Sequence, residues 1–203
     1  MANYDFEKVF SLFRRKYKLV PLEFFKKDPY KTLVSTILSS RTKDEVTLLA
    51  SERLFKKATN IKKLEQLEQL EIRKAIFPVG FYKTKAAHLK KLAKMINNKY
   101  KSEIPDSLEE LIKLPGVGRK TANLVLNRAF GKPAIAVDTH VHKISNLLGW
   151  VKTKMPEQTE RELVKILPKK YWPEINRLFV SVGRRFTSRK KLIEFLKENN
   201  LIK

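Results

Sequence analysis

Lys120 directly follows the glycine turn LPGVGR (114–119) and stands at the start of an apolar run with helical spacing (120–130). The positive end of a helix dipole and the neighbouring Arg119 both disfavour the ammonium form of a lysine at this place. An unprotonated lysine amine is the nucleophile that Schiff-base chemistry requires. Residue type and position therefore leave two interpretations open, a phosphate contact or a nucleophile.

Asp138 ends the apolar segment AIAV and precedes THVHK, a pattern that predicts the N-cap of a following helix. Hydrogen bonds from capping amides keep a carboxylate ionised. Beside a basic amine, such an anion can orient the amine, accept a proton or stabilise a developing sugar cation. Asp138 is thus a helix cap and a candidate catalytic group.

The glycine turn before Lys120 is itself a candidate anion site. Gly116 and Gly118 permit a tight turn and a close approach of other chains. We expect the amides of Val117, Gly118 and Arg119 to point outward at a helix N-terminus, where they would bind a phosphate. Short glycine motifs are weak evidence, so a tight turn that binds nothing stays the alternative.

The charge of the chain indicates a polyanionic partner. Its 203 residues include 44 Lys and Arg against 21 Asp and Glu, a formal net charge of +23. An excess of this size is typical of nucleic-acid binding. We favour nucleic acid over a membrane, because no single helix pattern sets Lys and Arg opposite a Trp, Phe or Leu face.

Several classes of site are excluded by composition. The chain has no cysteine, so disulfides, thiol nucleophiles and thiolate-held zinc or iron–sulfur sites cannot form, and its three histidines are scattered. No run approaches the roughly 18 apolar residues of a membrane span. The start MANYDFEKVF lacks a signal-peptide pattern. We predict a cytoplasmic, nucleoid-associated monomer with no metal site and no membrane partner.

Apolar residues recur at helical spacing along the chain, beginning with FEKVFSLF (6–13). No alternating strand pattern persists, so we predict an all-α fold. The capping-box patterns TKDE (42–45) and SLEE (107–110) predict helix starts, and Gly131 predicts a helix end. The segment LEQLEQLEI (64–72) is compatible with one helix or with two.

The chain resembles the endonuclease III family of DNA glycosylases, within the helix-hairpin-helix superfamily. The likeness is carried by four stretches: LPGVGRKTANLVLNRAFGKPAIAVDTH (114–140), TLVSTILSSRTKDEVT (32–47), VGFYKTKA (79–86) and VSVGRRFT (180–187). It implies two helical domains with an intervening cleft. Residues 21–132 would form a six-helix domain that contains the hairpin, and residues 1–20 with 133–203 would form the second.

The resemblance implies a bifunctional base excision repair enzyme. It would flip a damaged, oxidised pyrimidine out of duplex DNA, release the base and cleave the strand at the abasic site by β-elimination. Lys120 matches the family nucleophile, which attacks C1′ and forms the Schiff base. Asp138 matches the aspartate that assists this attack and stabilises the oxocarbenium-like transition state. Two alternatives stay open: a sister-branch glycosylase for mismatched thymine or oxidised purines, and a non-catalytic DNA-binding protein.

The same resemblance places other residues at the DNA. The family's wedge positions, which fill the gap left by the flipped base, fall on Arg41 and Phe81; Arg41 replaces a glutamine common in bacterial members. Further expected DNA contacts are Lys83, Lys85, Gly116, Val117, Gly118, Arg119, Thr121, His140 and Arg184, with Ser39 and Asp44 at the substrate pocket. Competing roles are a phosphate contact for Arg41, packing for Phe81 and His140, and a capping turn for Asp44.

One departure from the family is large. After VGRRFTSRK the family usually has four cysteines that hold a [4Fe–4S] cluster, and Thr187 stands where the first would fall. We predict that the amphipathic segment around Leu192, Phe195 and Leu196 closes the domain by packing, while RRFTSRKK (184–191) keeps a basic surface for DNA. We predict no cofactor, and leave a monovalent cation at the hairpin backbone open.

Overall fold

The structure is a computed structural model that describes residues 4–17, 25 and 27–203. Within these ranges the secondary structure is helical, with no β-strand, which confirms the all-α prediction. The helices are α1 Phe6–Arg15, α2 Pro29–Ser39, α3 Asp44–Lys57, α4 Ile61–Gln66, α5 Gln69–Ile76, α6 Tyr82–Lys99, α7 Leu108–Leu111, α8 Arg119–Phe130, α9 Thr139–Leu147, α10 Pro156–Ile166, α11 Trp172–Gly183 and α12 Arg189–Glu198. A short 3-10 helix, Lys169–Tyr171, precedes α11.

The chain divides into two compact units. One unit is Pro21–Lys132 and contains α2 to α8. The other consists of Met1–Val20 and Pro133–Lys203 and contains α1 and α9 to α12. Lys120 belongs to the first unit and Asp138 to the second.

Helix α2 is the central helix of the unit Pro21–Lys132. It begins at Pro29, a residue suited to a first helical position, and the Asp28 carboxylate accepts a hydrogen bond from the Lys31 amide at 2.9 Å. Its sides pack against α3, α6 and α8, which buries Leu33 and Leu38 completely. The end of α2 and the start of α8 are thereby set in one rigid core.

The predicted helix starts have mixed outcomes. Ser107 caps α7 by accepting a hydrogen bond from the Glu110 amide at 3.2 Å, as SLEE predicts. TKDE correctly predicts a helix start, because α3 begins at Asp44, but its capping box is wrong, since the N-cap is Lys43 and no side chain caps the helix. The Thr42 hydroxyl instead accepts hydrogen bonds from the Gly80 amide and the Lys85 ammonium. LEQLEQLEI forms parts of two helices, since α4 ends at Gln66 and α5 begins at Gln69.

The second unit has an aromatic core. Phe10 stacks on Tyr171 with ring centroids 4.2 Å apart, and Phe13 meets Phe179 edge to face at 5.1 Å. The Tyr171 hydroxyl donates a hydrogen bond to the Glu7 carboxylate at 2.5 Å. The pKa of this carboxyl is lowered to about 2, mainly because of this bond. These contacts join α1, from the start of the chain, to the 3-10 helix and α11.

The C-terminal segment packs as the sequence predicts. Leu192 and Leu196 of α12 are buried in the core of this unit, and Phe195 lies 4.9 Å from Phe186 between ring centroids. The Lys8 ammonium donates to the Asn200 carbonyl at 2.9 Å, which ties the end of the chain to α1. Apolar packing thus occupies the part of the chain where the family's cysteines would fall.

Replacing Leu196 with alanine is expected to destabilise the fold, because it leaves a cavity in this core. Such changes cost about 2–5 kcal/mol, so we expect the melting temperature to fall by roughly 5–15 °C. Thermal unfolding followed by circular dichroism measures the effect. Val164→Ala is the matched control, since Val164 of α10 is 45% exposed; equal melting temperatures for the two variants would show that α12 does not support the core.

Candidate active site

Gly116, in the hairpin turn between α7 and α8, must be a glycine for two reasons. Gly116 has φ +79°, in the left-handed region, and a Cβ there would lie 2.9 Å from Nδ1 of His88 on α6. The turn therefore sits directly against the His88 side chain. Gly118 is the N-cap of α8, and no side chain caps this helix.

The hairpin amides do not all face outward. The Val117 amide donates to the Leu114 carbonyl at 3.1 Å, and the Val117 side chain is buried. The expectation of an unpaired Val117 amide is therefore wrong, because this amide closes the turn itself. Gly118 and Arg119 are exposed, and Thr121 is half-buried in the first turn of α8. Phosphate binding by these three residues stays a prediction.

Lys120 lies in the first turn of α8 and is exposed. The residues that follow it, Ala122 to Leu126, are buried and pack the helix against α2. This amphipathic arrangement directs the inner face of α8 into the core and leaves Lys120 at the surface. Its amine is accessible to a substrate that approaches from solvent.

Asp138 is the N-cap of α9, as the sequence predicts. Its Oδ1 atom accepts hydrogen bonds from the amides of His140, at 3.0 Å, and Val141, at 2.9 Å. Both bonds use the same oxygen, and Oδ2 accepts none from the residues that the structure describes. The cap therefore orients the carboxylate while one oxygen stays available.

His140 packs against a glycine of α11. A Cβ on Gly183 would lie 2.4 Å from Nδ1 of His140, so the imidazole can occupy its place only because residue 183 has no side chain. Arg184, next in the chain, is exposed. His140 thus has a packing role, and its DNA contact stays a prediction. The sequence did not predict that Gly183 makes room for His140, although an isolated glycine within an apolar helical pattern was the available signal.

The two predicted wedge residues lie together. Arg41 follows α2 and Phe81 precedes α6, yet the Arg41 guanidinium carbon lies 5.5 Å from the centroid of the Phe81 ring. Both have left-handed backbones, with φ of 52° and 58°, and Phe81 is 62% exposed. Side-chain-bearing residues rarely adopt such φ values, and those that do concentrate at functional sites.

Comparison with known proteins identifies the family. The model of the HhH-GPD superfamily of base excision DNA repair proteins matches residues 34–169. The chain belongs to this superfamily. It is 48% identical over 175 residues to an endonuclease III of Thermotoga maritima, an alignment that covers 86% of this chain and 82% of the relative. The structure is similar to a non-covalent endonuclease III–DNA complex, with a TM-score of 0.79 and 32% identity over 91% of this chain and 88% of that one.

A trapped endonuclease III–DNA covalent intermediate is also similar, with a TM-score of 0.77 at 32% identity over 91% of this chain and 88% of that one. Membership in the HhH-GPD superfamily together with these relatives establishes a base excision repair glycosylase and AP lyase that binds damaged duplex DNA. This HhH-GPD chain has no cysteine, so it cannot hold a thiolate-bound iron–sulfur cluster.

The prediction that Lys85 contacts DNA is wrong for this HhH-GPD protein. Its side chain is buried and its ammonium bonds to the carbonyls of Leu38 and Ser40. A phosphate cannot reach it without breaking these bonds, so we revise its role from DNA contact to structural anchor. Lys83, two residues earlier, is exposed in the first turn of α6 and stays a predicted DNA contact.

The predicted pocket residues of the HhH-GPD fold lie at the adjoining ends of α2 and α3. The Ser39 hydroxyl donates to the Thr36 carbonyl at 2.8 Å within α2, and Asp44 is the half-buried first residue of α3. Their contacts with a flipped base stay predictions. Within the described ranges no cluster of three or more His, Asp or Glu could bind a metal ion, and no helix is long and apolar enough to cross a bilayer.

Proposed function

We propose that this enzyme removes oxidised pyrimidines from duplex DNA, with Lys120 as the nucleophile and Asp138 as the assisting carboxylate. One observation carries the proposal: an exposed lysine stands in the first turn of α8, directly behind a hairpin turn whose helix has no side-chain cap. A lysine that only stabilised the fold would be paired or packed.

In the proposed reaction the neutral Lys120 amine attacks C1′ of the damaged nucleotide. The glycosidic bond breaks, and its electron pair leaves with the base. The new C1′–N bond costs the Lys120 nitrogen one proton, and the departing base gains one. The C1′–O4′ bond then breaks, O4′ takes up a proton, and a protonated Schiff base is left between Lys120 and C1′. Loss of a proton from C2′ then expels the 3′ phosphate as the C3′–O bond breaks, and hydrolysis of the Schiff base releases Lys120.

Asp138 contributes negative charge to the first step. As the base leaves, positive charge develops on the sugar, and a fixed carboxylate stabilises that charge without having to reorganise. The two amide bonds on Oδ1 hold the carboxylate in one orientation. The available Oδ2 is the atom we assign to this role.

The N-terminus of α8 is proposed to bind a backbone phosphate, since a helix dipole and first-turn amides favour an anion there. Gly118, Arg119 and Thr121 would supply this contact, with Lys83, His140 and Arg184 as further contacts. A monovalent cation at the hairpin backbone stays a prediction, as do the monomeric state and the cytoplasmic, nucleoid-associated location.

Arg41 and Phe81 are proposed to enter the duplex where the damaged base leaves it. An aromatic ring stacks on exposed bases, and a guanidinium can donate two hydrogen bonds to O6 and N7 of an unpaired guanine. Because Arg41 offers this contact, a thymine glycosylase acting opposite guanine is the second candidate function.

A panel of lesions tests the proposed substrate class. We expect single-turnover cleavage to be at least about tenfold faster for thymine glycol than for thymine opposite guanine or for 8-oxoguanine, a preference of about 1.4 kcal/mol in the barrier. The undamaged duplex is the control. Fastest cleavage of mismatched thymine or of the oxidised purine would overturn the preference for oxidised pyrimidines and assign the enzyme to a sister branch.

A further inference from the structure

Lys85 anchors the chain that follows α2. Its side chain is only 7% exposed, and its ammonium donates to the carbonyls of Leu38, at 2.8 Å, and Ser40, at 2.5 Å. It also reaches the Thr42 hydroxyl at 3.3 Å. These three acceptors span the last turn of α2 and the loop to α3, so one buried cation holds both sides of Arg41.

Burying an ammonium group costs free energy, because the charge loses its hydration. Burial lowers the pKa of Lys85 to about 8, because the charged form loses its hydration. The acceptors lie at the C-terminal end of α2, where the helix dipole favours a cation. An apolar side chain would avoid the desolvation cost, but it could not bind three oxygens of a loop at once.

A second contact tightens the same loop. The Gly80 amide donates to the Thr42 hydroxyl at 3.1 Å, and this hydroxyl donates to the Ser40 carbonyl at 3.2 Å. A Cβ on Gly80 would lie 2.4 Å from the Arg41 carbonyl oxygen, so the two backbones are in direct contact. Lys85, Thr42 and Gly80 together join the loop of Arg41 to the segment that carries Phe81.

We propose that Lys85 is a positioning residue that holds Arg41 against Phe81, so that the two side chains enter DNA as one pre-assembled wedge. The inference rests on the proposed wedge role of Arg41 and Phe81. Their left-handed backbones are strained. The Lys85 anchor opposes the relaxation of this strain and so keeps the pair ready before DNA binds.

Lys90 provides a matched control on the same helix. Its ammonium donates to the carbonyls of Glu65, at 2.6 Å, and Leu67, at 2.7 Å, so it also ties α6 to neighbouring backbone. This contact reaches the end of α4 and not the loop of Arg41. A general loss of stability would affect Lys85→Met and Lys90→Met alike, whereas loss of wedge positioning would affect only the first.

The test compares two DNA substrates that differ in their need for a wedge. In one duplex every base pair on either side of the abasic site is intact. In the other, the same site lies within a three-nucleotide mismatch bubble, where stacking is already broken. The rate of borohydride trapping is measured on both. We expect Lys85→Met to slow trapping by about tenfold or more on the paired duplex, since small misplacements of this kind have large effects on rate, and by less than about twofold on the bubble.

An independent readout is the fluorescence of 2-aminopurine placed opposite the abasic site, which rises when a wedge unstacks it. We expect this rise with the wild type and Lys90→Met, and a weaker rise with Lys85→Met. Thr42→Val, which removes the acceptor shared by Lys85 and Gly80, should reproduce the effect and serves as the second variant if Lys85→Met does not fold.

The outcomes separate the two proposals. Equal slowing on both substrates by Lys85→Met and Thr42→Val would overturn the positioning role. The double variant Arg41→Ala, Phe81→Ala tests the wedge itself, and an unchanged ratio of paired to bubble rates in that variant would overturn the proposed wedge function. If the double variant lowers the ratio while Lys85→Met and Thr42→Val leave it unchanged, the wedge stands and the Lys85 anchor fails.

Discussion

Replacing Lys120 with alanine is expected to abolish borohydride trapping on a duplex with one abasic site and to leave DNA affinity within about threefold of the wild type. Trapping requires a primary amine at the active site, and no other residue is proposed to supply one. Affinity depends on many cations in a chain of net charge +23, so one lysine contributes a small share of the phosphate contacts. Gel electrophoresis of the reduced adduct and fluorescence anisotropy measure the two effects.

The variant Lys120→Arg separates the charge of this residue from its nucleophilicity. It keeps a cation at the start of α8 but cannot form the Schiff base, so we expect normal affinity and no adduct. Lys94→Ala, at an exposed position of α6, is the control and should trap like the wild type. Trapping by Lys120→Ala, or a loss of affinity as large as its loss of trapping, would contradict the assignment.

Asp138→Asn is expected to slow base release by about 100-fold or more, because the transition state loses a fixed negative charge. The fold should be unaffected. Asparagine is as good an N-cap as aspartate, and its amide oxygen can accept the same bonds from His140 and Val141. Single-turnover release of a damaged base gives the rate, and thermal unfolding checks that the cap is kept.

Asp5→Asn is the matched control for this change. Asp5 caps α1 in the same unit, where its carboxylate accepts a hydrogen bond from the Lys8 amide at 2.9 Å. We expect it to alter neither base release nor the melting temperature by much. Base release by Asp138→Asn at the wild-type rate would leave Asp138 with a capping role alone.

Features decided within a few residues were predictable. Asp138 caps α9, and Gly131 ends α8 with φ of 64°, because a cap depends only on the adjacent turn of the helix. The all-α fold follows from the spacing of apolar residues, which any helix must bury on one face. Lys120 and Asp138 stand out by residue type and position, and the family resemblance supplied their chemical roles.

Features decided by distant residues were not predictable. Thr42 does not cap α3, because its hydroxyl is recruited by Gly80 and Lys85, about forty positions away along the chain. Lys85 resembles any surface lysine in the sequence, and only the packing of α6 against α2 turns it inward. The contact between Arg41 and Phe81 likewise exists only once α2 and α6 have packed. Local patterns encode helices and caps, whereas the partners of a polar side chain are chosen by whichever segments the core brings beside it.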